Sequence, residues 1–349
     1  MRAQVQRGFG GPDVVAFDDL AEPIPGPGEV VVAVRACGLN RLDLLQREAA
    51  LVRGFSLPHV AGMDVAGTVI ASGAGVGEDS PAIGDAVLVD PVSTCGTCDR
   101  CRDGREPYCE DLRTVGSTRL GGFAERVAVS ADRCYPVPVG MSFVEAACLP
   151  VAYMTAWRAL VTVGKVRSGE MVLVNAAGSG VSTAIVQFAL AAGATVIGTA
   201  GGADKVRRAL ELGCAHAVDH YAGDVADSVL AVTNGRGVDL VVDHVGPALF
   251  DASIRSLAIE GRMVFCGTTT GTQVEVDLPA VYHWGRSLIG SGGYRPPEFP
   301  EMLEAVATHE LRPVIDSVWP FEQLAEAQQK MTDGTFFGKL VVTFDEVAP

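Results

Sequence analysis

The chain has 349 residues, 48% of them hydrophobic and 6% aromatic, with a formal net charge of −15 at pH 7. That length is enough for two domains with their own cores. The acidity argues against nucleic acid or an anionic membrane surface as partner, and no apolar run approaches the roughly 18–20 residues of a membrane helix. The opening MRAQVQRGFGGPDVV lacks the charged-then-apolar pattern of a secretory signal, so the expected compartment is the cytoplasm.

Residues 1 to about 140 carry short β-rich runs broken by Gly and Pro: EVVVAVRACG, VAGTVIASG and GDAVLVDPV. Within them, PVSTCGTCDRCRDGREPYC places Cys95, Cys98, Cys101 and Cys109 in a C-x2-C-x2-C-x7-C spacing. Four soft thiolates so close together suit one tetrahedral zinc ion. Four cysteines fill its coordination sphere, so the ion would be structural, with no open position for water or substrate. Cys37, Cys134, Cys148, Cys214 and Cys266 lie scattered in apolar settings and read as buried free thiols of a reducing compartment.

PVPVGMSF marks a boundary, after which strands and helices alternate. MVLVNAAGSG reads as a strand and Gly turn, VSTAIVQFALAAG as a helix stopped by Gly193, ATVIGTAG as a strand, and ADKVRRALELG as a helix stopped by Gly213. HAVDH, VDLVVDHVG and GRMVFCGTT supply further strands. This alternation predicts parallel βαβ units and a doubly wound sheet. PPEFPEMLEAVATHE then reads as a helix, and FGKLVVTF as a last strand expected to return to the first domain. The expected fold class is α/β. A β-rich domain takes residues 1–142 and 291–349, with the zinc lobe at about 91–112, and a dinucleotide-binding domain takes 143–290.

Gly178 and Gly180, flanking Ser179 and followed by Val181, stand between a predicted strand and a predicted helix. There, backbone N–H groups and a helix N-terminus can hold a pyrophosphate. The third glycine of G-x-G-x-x-G is missing, since Thr183 stands in its place. The next strand ends at Ala200-Gly201-Gly202 without a carboxylate, and Lys205, Arg207 and Arg208 follow. A missing acid leaves room for a 2′-phosphate, so the expected cofactor is NADPH, with Lys205 as phosphate contact. Asp204 stands against that reading unless it serves as an acid in the first turn of its helix.

The order and spacing of PGPGEVVVAVRACGLNRLD, AGMDVAGTV, GDAVLV, the four-cysteine lobe, LPVAYMTAWRAL, NAAGSGVSTAIVQFA, VDLVVDHVG and FGKLVVTF make the chain resemble the medium-chain dehydrogenase/reductase superfamily over nearly its whole length. The resemblance implies a GroES-like catalytic domain, a Rossmann domain, a cleft between them, and a homodimer or homotetramer. It also implies that Thr155, His244, Val245, Gly267, Thr268 and Lys339 lie near the cofactor, Lys339 beside its phosphate.

Alcohol dehydrogenases of this superfamily hold a catalytic zinc. Their ligand positions fall here on Asn40, Met63 and Val151, with Asp64 in place of a Glu. Those side chains cannot form the site that zinc prefers. An improvised site from Cys37, His59, Asp64 and Cys148 is the alternative for an atypical alcohol dehydrogenase. The chain resembles instead the quinone oxidoreductase and enoyl reductase branches, which imply hydride transfer to a quinone or an α,β-unsaturated carbonyl. Asn40, Asp43 and Tyr153 are the candidate catalytic residues. Asn40 reads equally as a helix cap and Asp43 as a helix N-terminal acid, whereas Tyr153, a candidate donor or proton source, reads more readily as an aromatic of the cleft wall. A non-catalytic NADPH-binding structural or sensor protein would carry the same cofactor motif.

Overall fold

The computed structural model describes residues 1–344 and divides into two compact units. The first comprises Met1–Val151 with the chain from Arg295 onward, and the second comprises Ala152–Tyr294.

The first unit is built on a seven-stranded sheet. Its spine is Glu29–Gly38, whose valine-rich sequence is buried along nearly all its length. That strand pairs antiparallel with Asp64–Ser72 and with Arg126–Ser130. Beyond Asp64–Ser72 come Ala86–Val89 and Cys134–Pro136. The tail closes the other side: Lys339–Thr343 lies antiparallel to Glu29–Gly38 and parallel to Ile315–Pro320. Val30, Val32, Val34, Val65, Val69, Phe123, Leu340 and Val342 form part of one apolar core.

The second unit holds a six-stranded parallel sheet. Its order is His216–Asp219, Thr195–Ala200, Met171–Val174, Val238–Asp243, Leu257–Phe265, Ser287–Gly290. Numbered along the chain this is 3-2-1-4-5-6, the doubly wound arrangement expected from the alternating pattern. MVLV and VDLVVD are near-continuous apolar runs because helices cover both faces of such a sheet. The helix Gly180–Ala191 is stopped as the sequence suggests: Gly193 has φ +77°. Among the described residues, no helix is long and apolar enough to cross a membrane.

The sequence reading did not anticipate the helices Val225–Val232, Pro247–Arg255 and Leu324–Asp333, nor the six-residue π-helix Arg158–Val163 that continues Ala152–Trp157.

Candidate functional site

In the second unit, ligands of a doubly wound sheet bind beyond the carboxyl ends of its strands. Strand ends at Val174, Ala200, Asp243 and Phe265 bring Gly178–Val181, Ala200–Gly201, His244–Val245 and Gly267–Thr268 to that edge. A buried polar network ties these ends together. Asn175, fully buried, donates from Nδ2 to Asp243 Oδ1 and to Ser253 Oγ, both at 2.8 Å. The Asp243 carboxylate accepts the N–H groups of Val245 (3.2 Å) and Gly246 (2.9 Å), and Thr199 Oγ1 accepts the N–H of Ala176 at 3.0 Å. Ala176 itself stands at φ +48°, a strained value for alanine that the network holds in place. Ser179 caps the helix: its Oγ accepts the Ser182 N–H at 3.0 Å. His244 Nε2 lies 2.9 Å from both Ser179 Oγ and Ser182 Oγ. Gly267 packs so closely on His244 that an added Cβ would come within 2.9 Å of it.

At the next strand end, a Cβ on Gly201 would fall 2.5 Å from the Tyr221 ring and 2.9 Å from His220 Nε2. Sequence reasoning missed these two residues. Their signal was their place just after the HAVD strand, next to the tip where Lys205 was expected to act. Burial lowers the His220 pKa, Asp219 opposes that, and Lys205 adds to it. His220 Nδ1 is buried without a partner among the described residues. Asp219 Oδ1 accepts the N–H groups of Gly202 and Tyr221, both at 3.0 Å, and these bonds hold its pKa low. Arg207 pairs on the helix surface with Asp204 and Glu211, so Asp204 acts as a helix-surface acid. Thr155 is half-buried in the helix Ala152–Trp157. Tyr153 is 1% exposed, and its hydroxyl donates to Gln187 Oε1 at 2.6 Å.

In the first unit, Asn40 caps the helix Arg41–Glu48, and its N–H donates to Asp43 Oδ2 at 2.7 Å. Asn40 Nδ2 donates to Asp64 Oδ2 at 2.9 Å. The Lys339 side chain is 3% exposed, and Nζ donates to Leu39 O (2.7 Å), Asn40 Oδ1 (2.9 Å) and Asp64 Oδ2 (2.7 Å). An ammonium has three protons, and those three acceptors take them all. Burial acts to lower the Lys339 pKa, but Asp64 outweighs it and the pKa is raised. Asp64 Oδ1 accepts the Val151 N–H at 2.7 Å. Asp43 is 4% exposed, its Oδ1 has no partner among the described residues, and burial raises its pKa to about 7.

These residues do not suit a catalytic zinc. Asn40, Met63 and Val151 supply no thiolate or imidazole, and the Lys339 ammonium beside Asp64 would repel a second cation. The improvised set fares no better. Among the described residues, Cys37, His59, Asp64 and Cys148 do not bring three ligand atoms close enough to share an ion.

The four-cysteine lobe does suit zinc. All four Sγ atoms lie within 4.8 Å of one another and none is in a disulfide. Cys95–Cys109, Cys98–Cys101, Cys95–Cys101 and Cys98–Cys109 are separated by 3.5, 3.6, 3.9 and 4.0 Å. Tetrahedral zinc with Zn–S bonds of about 2.3 Å requires about 3.8 Å between sulfurs. The N–H groups of Thr97 and Cys98 point at Cys95 Sγ, from 3.4 and 3.3 Å, and draw its pKa down to about 6. Among the described residues this is the one set of three or more such ligand atoms close enough to share an ion.

A β-rich unit with a four-thiol lobe and a doubly wound unit with a glycine turn together define an oxidoreductase of the dinucleotide-binding class. Residues 26–139 match the alcohol dehydrogenase GroES-like domain, and residues 180–308 match the zinc-binding dehydrogenase family. The synaptic vesicle membrane protein VAT-1 homolog of Rattus norvegicus is 32% identical over 98% of this chain and 84% of its own length. The quinone oxidoreductase of Homo sapiens is 29% identical over 98% of this chain and 97% of its own. A solved structure described as an NAD-dependent alcohol dehydrogenase superposes with a TM-score of 0.93 at 39% identity, covering 98% of this chain and 99% of that one. The chain belongs to the medium-chain dehydrogenase/reductase superfamily.

Proposed function

We propose that this protein is an NADPH-dependent reductase of quinones or of activated C=C bonds in α,β-unsaturated carbonyl compounds, and that its zinc is structural. The observation that carries the proposal is the Asn40–Asp64–Lys339 cluster. An internal ammonium–carboxylate pair engages Asn40, which occupies one of the positions where an alcohol dehydrogenase holds the metal that ionises its alcohol.

Bound NADPH would supply hydride to the electron-poor carbon of the acceptor. The acceptor's oxygen then takes up negative charge and requires a hydrogen-bond donor. Asn40 is suited to that task. Lys339 on Oδ1 and Asp64 on Nδ2 fix which way its amide points, and its second N–H is the donor offered to substrate. Asp43 holds the Asn40 backbone and acts as a positioning residue. With Tyr153 committed to Gln187, the proton that completes reduction comes from solvent. Ser179 and the first-turn amides of the Gly180–Ala191 helix would hold the pyrophosphate, and Lys205 with His220 the 2′-phosphate.

The likeness to a solved NAD-dependent alcohol dehydrogenase favours a second reading, carbonyl–alcohol interconversion with NAD(H). Product analysis separates the two. The protein is mixed with 2-hexenal and either NADPH or NADH. Hexanal formed with NADPH supports the proposal; 2-hexenol, or turnover with NADH alone, supports the alcohol dehydrogenase reading.

A further inference from the structure

The hydroxyl protons beside the glycine turn can be assigned from the hydrogen-bond network. Ser182 Oγ donates its one proton to the carbonyl of Asn175 at 2.6 Å. Toward His244 Nε2, at 2.9 Å, it can therefore only accept. His244 Nε2 must carry hydrogen, because a bare nitrogen there would set two lone pairs against each other. Burial lowers the His244 pKa, which favours a neutral ring with one N–H, consistent with this assignment. A protonated Nε2 has no lone pair for the Ser179 hydroxyl, which sits 2.9 Å away. Ser179 Oγ already accepts the Ser182 N–H, so its own proton remains to be donated elsewhere. That proton lies at the first turn of the Gly180–Ala191 helix, where backbone N–H groups lack intrahelical acceptors.

We infer that His244 is a positioning residue that sets the polarity of the serine pair, keeping the Ser179 hydroxyl a donor for an anionic oxygen of the dinucleotide's diphosphate. This rests on the dinucleotide-binding part of the proposed function. Without the imidazole, Ser182 Oγ loses its donor, and the Ser179 hydroxyl turns inward to replace it. The turn then loses one donor to the anion although Ser179 is unchanged. Gln at position 244 extends an amide N–H to about the reach of Nε2 and restores the polarity.

The test is a double-mutant cycle on the full-length protein. NADPH dissociation constants are read from nucleotide fluorescence, and the melting temperature of each cofactor-free variant is recorded alongside. We expect His244→Leu and Ser179→Ala each to weaken NADPH binding about tenfold, a hydrogen-bond-sized effect. The double variant should be no weaker than His244→Leu, and His244→Gln should stay within about threefold of wild type. Binding by His244→Leu at wild-type strength, additive losses in the double variant, or a His244→Gln as weak as His244→Leu would overturn the inference while leaving dinucleotide binding intact. A wild-type protein that binds neither NADPH nor NADH would overturn the underlying reading and the inference with it.

Discussion

Lys339 Nζ stands 2.7 Å from Asp64 Oδ2, with side-chain exposures of 3% and 0%. Each ion would be costly to bury alone, and each is fully hydrogen-bonded here. The pair also fixes the Asn40 amide. Replacing Lys339 by Met leaves Asp64 as an unpaired buried carboxylate. Such losses run to about 3–5 kcal/mol. Urea unfolding of Lys339→Met should show a loss of that order, and Lys339→Arg should recover part of it. A Lys339→Met protein as stable as wild type would mean that the pair is not buried in solution.

Asp43 gives a pH-dependent prediction. Its folded-state pKa, about 7, lies above the ordinary aspartate value of 3.8 because burial disfavours the charged form. A raised acid binds more protons folded than unfolded, so its stabilisation is complete at low pH. It is lost as pH rises through about 4 to 7. A shift of that size corresponds to on the order of 4 kcal/mol between pH 4 and pH 8. Asp43→Asn keeps an oxygen for the Asn40 N–H and removes the titration. Its stability relative to wild type should therefore rise with pH over that window, measured by urea unfolding at several pH values. A flat difference would show that Asp43 does not titrate there.

The two units differ in how openly the sequence declares them. The parallel sheet was legible because MVLV, VIGTA and VDLVVD are apolar runs separated by helices with glycine stops. The four cysteines were legible because zinc ligands within one loop keep a fixed spacing. Lys339 and Asp64 are 275 residues apart, and no local pattern announces that the strands bearing them flank one central strand. The same holds for Asn175 and Asp243, 68 residues apart. Val225–Val232 was missed for a different reason. Its valines suggest a strand, whereas the Asp224 carboxylate accepts the Asp227 N–H and starts a helix. Tyr153 shows the same limit, since residue type reveals a hydroxyl but not the Gln187 that engages it.

The zinc lobe should separate stability from chemistry. Cys101 is one of four mutually close thiols, and closing a tetrahedral site ties Cys95–Cys109 together. Structural zinc can contribute on the order of 10–16 kcal/mol of apparent binding energy in small modules, part of which becomes folding stability here. Cys101→Ser should lower zinc content and bring the melting temperature down by about 10 °C, with the same reaction product as wild type. Metal analysis and calorimetry check this. A zinc-free variant that melts with wild type would remove the structural role.

The proposed choice of NADPH rests on the tip of the strand Thr195–Ala200. No carboxylate ends that strand, and the nearby Asp219 is engaged by the N–H groups of Gly202 and Tyr221. Lys205 approaches His220 closely enough to help depress its pKa, against the opposing effect of the Asp219 carboxylate, so one ammonium stands beside the ring. A 2′-phosphate placed there would draw protons onto His220 and gain a second charge-assisted contact. A ribose hydroxyl would gain little. Lys205→Ala should therefore weaken NADPH binding about tenfold and NADH binding less than about twofold. For the wild type, the proposed preference for NADPH over NADH should be greater at pH 6 than at pH 8, since protonating His220 favours the phosphate. Equal losses for both cofactors in Lys205→Ala would place Lys205 at a part of the dinucleotide common to both, and the preference for NADPH would need another source.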